Sequence, residues 1–316
     1  MVRKRYVLFA LAGLAILVVL RLRRGRDGAP GGGWPVNLAH RGVSRVAPEN
    51  TLEAFGAAVE SGAGGLELDV HLTRNGHVVV IHDSTVDRTT GVTGAVAEMT
   101  LDELRTLDAG QNFSPDDVGT FPYRGRNVRV PTLVEVLREF PGVAVNIDMK
   151  ADRPGIEAAV FGALREAGAG GHALVVSSRL GAVRRFRRIS GGTISTGASR
   201  WEVGVFHLFS RLYLERLLRP AYDALQVPPR YRGIPLVTRR FVEAAHARGV
   251  RVDAWTINGA DEMRRLLELG VDAIVTDWPE KLTDVLRERE ACSRLSRHDE
   301  QRDGSKAEER VGGAER

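Results

Sequence analysis

The 316-residue chain has a single cysteine, Cys292, so it has no intrachain disulfide and no cysteine-built zinc site. No glycine-rich phosphate loop follows its first candidate strand, which argues against a doubly wound nucleotide-binding sheet. No acidic residue occurs before Asp27, whereas Arg3, Lys4, Arg5, Arg21, Arg23, Arg24 and Arg26 all precede it. The chain carries +5 overall and these seven residues carry +7, which leaves −2 for residues 27–316. The basic character therefore belongs to the amino-terminal segment, and nucleic acid is discounted as a partner.

Between those basic clusters, Tyr6 to Leu20 is apolar apart from Gly13. The run is shorter than the roughly 20 residues of a typical span, but flanking arginines can snorkel to the interfaces. A secretory signal peptide is the competing reading. No small-x-small cleavage site follows the run and four arginines come directly after it, so residues 1–24 are expected to form an uncleaved single-pass anchor. Positive charge is nearly balanced on the two sides, which leaves the side of the membrane open. Residues 25–33 are glycine-rich and read as a flexible linker. A folded domain is expected over 34–288, and the charged stretch 289–316, nearly free of aromatics, reads as a disordered tail.

A hydrophobic content of 43% allows one large core. Strands are expected near 36–40, 65–70, 77–82, 143–149, 173–177, 192–196, 224–227, 250–256 and 273–276. Helical patterns lie at 51–61, 133–139, 155–167, 238–248 and 261–269. This alternation argues for an α/β fold, a parallel (β/α)8 TIM barrel. There are nine candidate strands for eight places, and the link from Val70 to His77 is too short for a helix. One segment is therefore expected to be a hairpin partner or an edge strand. Two stretches break the alternation. Residues 84–130 form a long polar excursion with one helical piece, in which Thr100 and Glu103 can make a capping box. Residues 201–218 are more apolar than a surface loop needs.

Chemistry-bearing residues recur at strand ends. The run Asn37-Leu38-Ala39 delivers His40 and Arg41 before Gly42 breaks the strand, a position suited to phosphate. Glu67 and Asp69 are two apart, so strand geometry puts both carboxylates on one face. Their repulsion is relieved either by solvent at a strand edge or by a hard divalent cation. His77 to Asp83 delivers His82 behind four apolar residues, and two imidazoles can serve as acid and base. On the strand Val143–Lys150, Asn146, Asp148 and Lys150 share one face, where Asp148 can supply a third carboxylate and Lys150 a positive charge. A buried Asp148–Lys150 ion pair is the plain alternative. Pro48 to Thr51 is a helix-start signal in which Glu49 is either favoured by the helix dipole or supports the chemistry directly. Trp255, at another strand end, is either a pocket wall or a core aromatic.

Together these pieces resemble the glycerophosphodiester phosphodiesterase family. The resemblance is carried in order by Ala39-His40-Arg41-Gly42, Pro48-Glu49-Asn50-Thr51, Glu67-Leu68-Asp69-Val70, Val80-Ile81-His82-Asp83, Asp87-Arg88-Thr89-Thr90, Asp148-Met149-Lys150, Trp255-Thr256-Ile257-Asn258 and Thr276-Asp277. It implies one divalent ion, Ca²⁺ or Mg²⁺, held by Glu67, Asp69 and Asp148. It also implies an acid-base pair of His40 and His82, with Arg41 and Lys150 binding phosphate. Where this chain has Asp148 the family often has Glu, and the shorter reach bears on which metal is preferred.

The expected activity is release of an alcohol from a glycerophosphodiester or a lysophospholipid, by water or by the substrate's own neighbouring hydroxyl. A sphingomyelinase-D-like phospholipase shares the plan of two histidines and three carboxylates, but the motifs at 48–51 and 87–90 favour the first reading. A non-catalytic lipid- or phosphate-binding barrel would lack a catalytic group, and none is missing. From Arg179 to Arg240 thirteen arginines face only Glu202, Glu215 and Asp223. With residues 201–218 this band suits an anionic membrane surface or an acyl chain near the active site; the plain alternative is an outer barrel helix with arginines in solvent.

Overall fold

The computed structural model describes residues 34–115, 119–150, 153–292 and 294. The expected anchor (1–24), the linker and nearly all of the tail lie outside them. Among the described residues no helix is long and apolar enough to cross a membrane. A closing helix runs through 279–292 and takes in the first four residues of the expected tail.

The strands are β1 (Asn37–His40), β2 (Gly65–Leu72), β3 (Val78–Val80), β4 (Ala144–Met149), β5 (Ala173–Val176), β6 (Ser195–Thr196), β7 (Ala224–Val227), β8 (Arg230–Tyr231), β9 (Ile234–Pro235), β10 (Arg251–Ala254) and β11 (Ala273–Thr276). Eight of them form one parallel path, β6-β5-β4-β2-β1-β11-β10-β7. Its two ends meet: Gly197 bridges Ala224, and Ala198 N donates to Ala224 O at 2.8 Å. This is the expected TIM barrel, whose ring has no exposed strand edge. β3 is the surplus strand. It returns antiparallel on β2, with Val79 opposite His71, as the short link at 70–77 requires. β8 and β9 form a separate small hairpin.

The helices are α1 (Leu52–Glu60), α2 (Asp87–Thr90), α3 (Leu101–Arg105), α4 (Leu133–Glu139), α5 (Ile156–Glu166), α6 (Leu180–Ile189), α7 (Arg200–Arg211), α8 (Arg239–His246) and α9 (Ala260–Glu268). Their starts are set by side-chain caps. Thr51, Thr132, Ser199 and Thr238 each accept a backbone N–H of the first turn, a contribution of about 1 kcal/mol apiece. The capping box expected at Thr100 and Glu103 is present at α3.

Strand alternation sorts the core from the site. Leu66, Leu68 and Val70 pack outward with Phe55, Ile147 and Phe186, while Phe206, Phe241, Met263 and Ile274 fill the other side of the barrel. Glu67 and Asp69, between those outward residues, face inward. Deeper in the barrel, Asn146 donates to Gln226 at 3.3 Å, and Gln226 and Arg251 both donate to Asp253. Asn146 thus belongs to a structural network below the polar cluster it was grouped with.

Packing defines the two segments that break the alternation. The described part of 84–130 packs on a small separate core, with Val79, Ile81, Val86, Val96, Leu104 and Val130 buried together, which seats it on the barrel rim. Residues 201–218 are α7 and a following single turn, Glu215–Leu217. Phe206 is fully buried, edge-on to Phe241 at 5.5 Å between centroids. The stretch is the outer barrel helix named above as the plain alternative, its Phe206 packed with β7 and α8.

Candidate active site

The site is built on the turn after β1. Arg41 and Gly42 both take positive φ, 55° and 83°. A Cβ on Gly42 would lie 2.6 Å from the backbone of Ala54, so only glycine fits this close approach. Arg41 pays for its left-handed backbone with two bonds: its N–H donates to Glu67 O at 2.9 Å, and its carbonyl accepts from Asn50 N at 3.0 Å. Its guanidinium is thereby aimed at the strand ends, with Nε 3.2 Å from Asp69 Oδ2 and one terminal nitrogen donating to Glu49 Oε1 at 3.0 Å.

The acids come from β2 and β4. Their register sets Asp69 directly opposite Asp148 and Glu67 opposite Asn146. Glu67 is 7% exposed and Asp69 1%. Burial, reinforced by the charges of Asp69 and Asp148, pushes the Glu67 carboxyl well above the usual carboxylate range. Burial also raises Asp148 despite Lys150. At Asp69 burial acts the same way but is outweighed by Lys150, Arg41 and the Asn50 amide, so that carboxyl is held low. Lys150 Nζ sits between the last two acids, 3.0 Å from Asp69 Oδ1 and 2.7 Å from Asp148 Oδ2. The plain ion-pair alternative is thus part of the geometry, but it engages Asp69 and Asp148 and not Glu67, whose Oε2 instead accepts the Arg41 N–H at 3.2 Å.

Each histidine rests on a carboxylate. His40 Nδ1 is 2.7 Å from Asp277 Oδ1, and the other Asp277 oxygen accepts from Asn258 at 2.6 Å. Burial alone would raise Asp277, but bonds from His40 and Asn258 hold it below its ordinary value. An ionised carboxylate only accepts, so His40 donates from Nδ1, and its Nε2 lies 3.9 Å from Glu67 Oε2. His82 Nδ1 is 2.7 Å from Asp83 Oδ1, while its backbone carbonyl accepts from His71 Nε2 at 3.0 Å. Asp83 accepts from Arg88 Nε at 2.6 Å, and Arg88 donates to both oxygens of Glu49 at 2.7 and 2.8 Å. His82, Asp83, Arg88, Glu49, Arg41 and Asp69 thus form one unbroken chain of charged contacts.

The structure therefore joins His40, Arg41, Glu49, Glu67, Asp69, His82, Asp148 and Lys150 at the carboxyl ends of the strands. Both Glu49 oxygens are occupied by arginines, so its environment is that of an arginine clamp. Trp255, just past β10, is 44% exposed and is not a core aromatic. Asp83, Arg88, Asn258 and Asp277 also join the site; each stands within a motif, but for the last three no local pattern in the sequence marks its role. The adjacency His82-Asp83 was the one legible signal; the pairing of His40 with Asp277 spans 237 residues.

The family model for glycerophosphoryl diester phosphodiesterases matches residues 40–281. A glycerophosphodiester phosphodiesterase of Caldanaerobacter subterraneus subsp. tengcongensis is 37% identical over 262 residues, covering 79% of this chain and 97% of its own. A probable glycerophosphodiester phosphodiesterase 2 of Mycobacterium tuberculosis is 32% identical, covering 80% and 91%. Among solved structures, an Oleispira antarctica phosphodiesterase in complex with the product sn-glycerol-3-phosphate aligns with a TM-score of 0.63 at 27% identity, over 80% of this chain and 97% of that one. The barrel itself also matches the glycerophosphoryl diester phosphodiesterase domain of an uncharacterized Mycobacterium tuberculosis protein, with a TM-score of 0.70 over 80% of this chain and 99% of that one, at 24% identity. The chain belongs to the glycerophosphoryl diester phosphodiesterase family and is a phosphoric diester hydrolase.

Proposed function

We propose that the site hydrolyses glycerophosphodiesters with His40 and His82 as its acid-base pair. The observation that carries this is that both imidazoles are fixed through Nδ1 on a carboxylate and flank the same group of buried acids. A free Nε2 on each side of a bound diester lets one ring take the proton of the attacking hydroxyl or water and the other deliver one to the departing alkoxide. Arg41 and Lys150 would hold the phosphoryl oxygens and oppose the charge that grows on them. Trp255 would wall the leaving-group side.

The donor set fits a divalent cation. Glu67, Asp69 and Asp148 supply only oxygen, as Ca²⁺ and Mg²⁺ require, and the burial and neighbouring acids that raise Glu67 are opposed by a cation placed among the three. No group of three or more acids and histidines is already arranged as a metal cage among the described residues, and the Lys150 ammonium bridges two of the acids. Holding an ion therefore asks Lys150 to turn toward the substrate phosphate. Once bound, the ion would polarise the phosphodiester and neutralise its charge.

The sn-glycerol-3-phosphate held by the Oleispira antarctica relative supports a glycerol-phosphate product here. Lysophospholipids remain a second substrate class, and the apolar run 6–20 would keep the enzyme at a membrane. The test is a substrate panel of glycerophosphocholine and lysophosphatidylcholine, run with the wild type, His40→Ala and His82→Ala. The reading predicts loss of glycerol phosphate release in both variants. Wild-type turnover in either one would overturn it.

A further inference from the structure

A concavity away from the active site lies on the outer wall of the barrel, between α6, the start of α7 and the approach to β7. Its volume is about 370 Å³, and the residues that define its chemistry are Arg184, Arg188, Arg219, Trp201, Val205 and Tyr222. None of them belongs to the active site. The cavity is also lined by Arg187 and Glu202, which neutralise one another: Arg187 pairs with Glu202 at 2.7 Å, and Glu202 additionally caps α7 through Ser199. Arg184, Arg188 and Arg219 are exposed, and among the described residues their guanidiniums make no hydrogen bond or ion pair. Three guanidiniums around one hollow repel one another, and an anion removes that repulsion. Their planar forks suit phosphate.

A soluble anion would leave the rest of the hollow unexplained. Val205, the buried Leu218 and Tyr222 give it an apolar floor, and Trp201 stands at its edge with 58% of its surface exposed. Farther along α7 and in the turn that follows, Leu208, Leu212, Tyr213 and Leu217 are also exposed. Arg211 and Arg216 lie among them, both exposed. Exposed leucines, a tyrosine and a tryptophan interleaved with arginines complement the interface of a negatively charged bilayer.

We propose that this flank docks on an anionic bilayer and that the cavity takes one anionic phospholipid from it, the phosphate on Arg184, Arg188 and Arg219 and the start of the acyl portion against Val205 and Tyr222. The proposal is independent of the hydrolytic reading, since the cavity shares no residue with the catalytic cluster. It also moves the expected acyl contact from the active site to the barrel's side, where it would orient the enzyme and not deliver substrate.

The test titrates the full chain, in neutral maltoside micelles, with dihexanoyl phosphatidic acid, dihexanoyl phosphatidylcholine and inorganic phosphate. Wild type is compared with Arg188→Gln/Arg219→Gln, Trp201→Ala and Lys150→Ala. The proposal predicts binding of one phosphatidic acid in the cavity, weakened at least tenfold by the double arginine variant and less by Trp201→Ala. It also predicts unchanged hydrolysis of glycerophosphocholine in both of these variants, whose exposed side chains leave folding intact. Equal binding by wild type and the double variant would overturn it. So would phosphatidylcholine binding as tightly, phosphate binding as tightly as the lipid, or binding lost only in Lys150→Ala, which would place the lipid in the catalytic site.

Discussion

His40 and Asp277 come from opposite ends of the folded domain and meet at 2.7 Å because β1 and β11 are neighbours in the ring. The last barrel strand thus fixes the orientation of the first histidine, holding its Nδ1 against a carboxylate. Replacing Asp277 with Asn frees the ring to carry its proton on Nε2 and to turn. We expect kcat to fall by about 10² to 10⁴, with KM changing little, by analogy with other carboxylate-oriented histidines. Asn258→Ala, which only loosens Asp277, should cost roughly tenfold. Steady-state kinetics on glycerophosphocholine separates these from a folding defect, which would lower active-enzyme concentration without altering the pH profile.

Arg88 joins Asp83 to Glu49 and so ties the rim excursion to the turn after β1. Arg88→Ala should therefore lower activity through His82 and Arg41 together. Because Arg88 is about half exposed, the stability loss should be only about 1 kcal/mol. Denaturant midpoints measure the second effect and kcat the first; a large loss of stability with normal kcat would contradict this coupling.

Much of this was legible in the chain and some was not. The period-2 alternation of Leu66-Glu67-Leu68-Asp69-Val70 shows which side chains face inward, because strand geometry is local. The surplus strand was visible for a similar reason, since Val70 to His77 cannot span a crossover. What escaped was anything set by ring closure or by packing between distant segments: the partners of His40, and the seating of the described part of 84–130 on its own apolar core; for 201–218 the outer barrel helix stood only as one of two readings. An apolar helix stripe reads alike whether it covers a barrel or a membrane, and only the burial of Phe206 separates the two.

Glu49 gives a pH prediction. Burial alone would raise its carboxyl, but Arg88 and Arg41 hold it below its ordinary value of 4.5. A depressed carboxylate contributes stability that is present above the unfolded value and lost as pH falls through the folded one. The stability difference between wild type and Glu49→Gln should therefore be flat above about pH 5 and shrink toward zero at lower pH. A difference that grew on acidification, followed by thermal melting, would contradict the arginine clamp.

Gly42 tests the backbone. With φ at 83° and the Ala54 backbone where a Cβ would go, Gly42→Ala should cost about 2–4 kcal/mol and displace Arg41. Gly76, at φ 88° with open space around it, is the control: Ala there should cost only about 1 kcal/mol. Urea denaturation of the two variants measures the contrast.

The most direct test of the proposed chemistry is metal removal and return. Glycerophosphocholine hydrolysis is followed in chelator, then after adding back Ca²⁺ or Mg²⁺, for wild type and Asp69→Asn. The account predicts no turnover in chelator, recovery of the wild type with at least one of the two ions, and no comparable recovery of Asp69→Asn. Full wild-type turnover in chelator would contradict it.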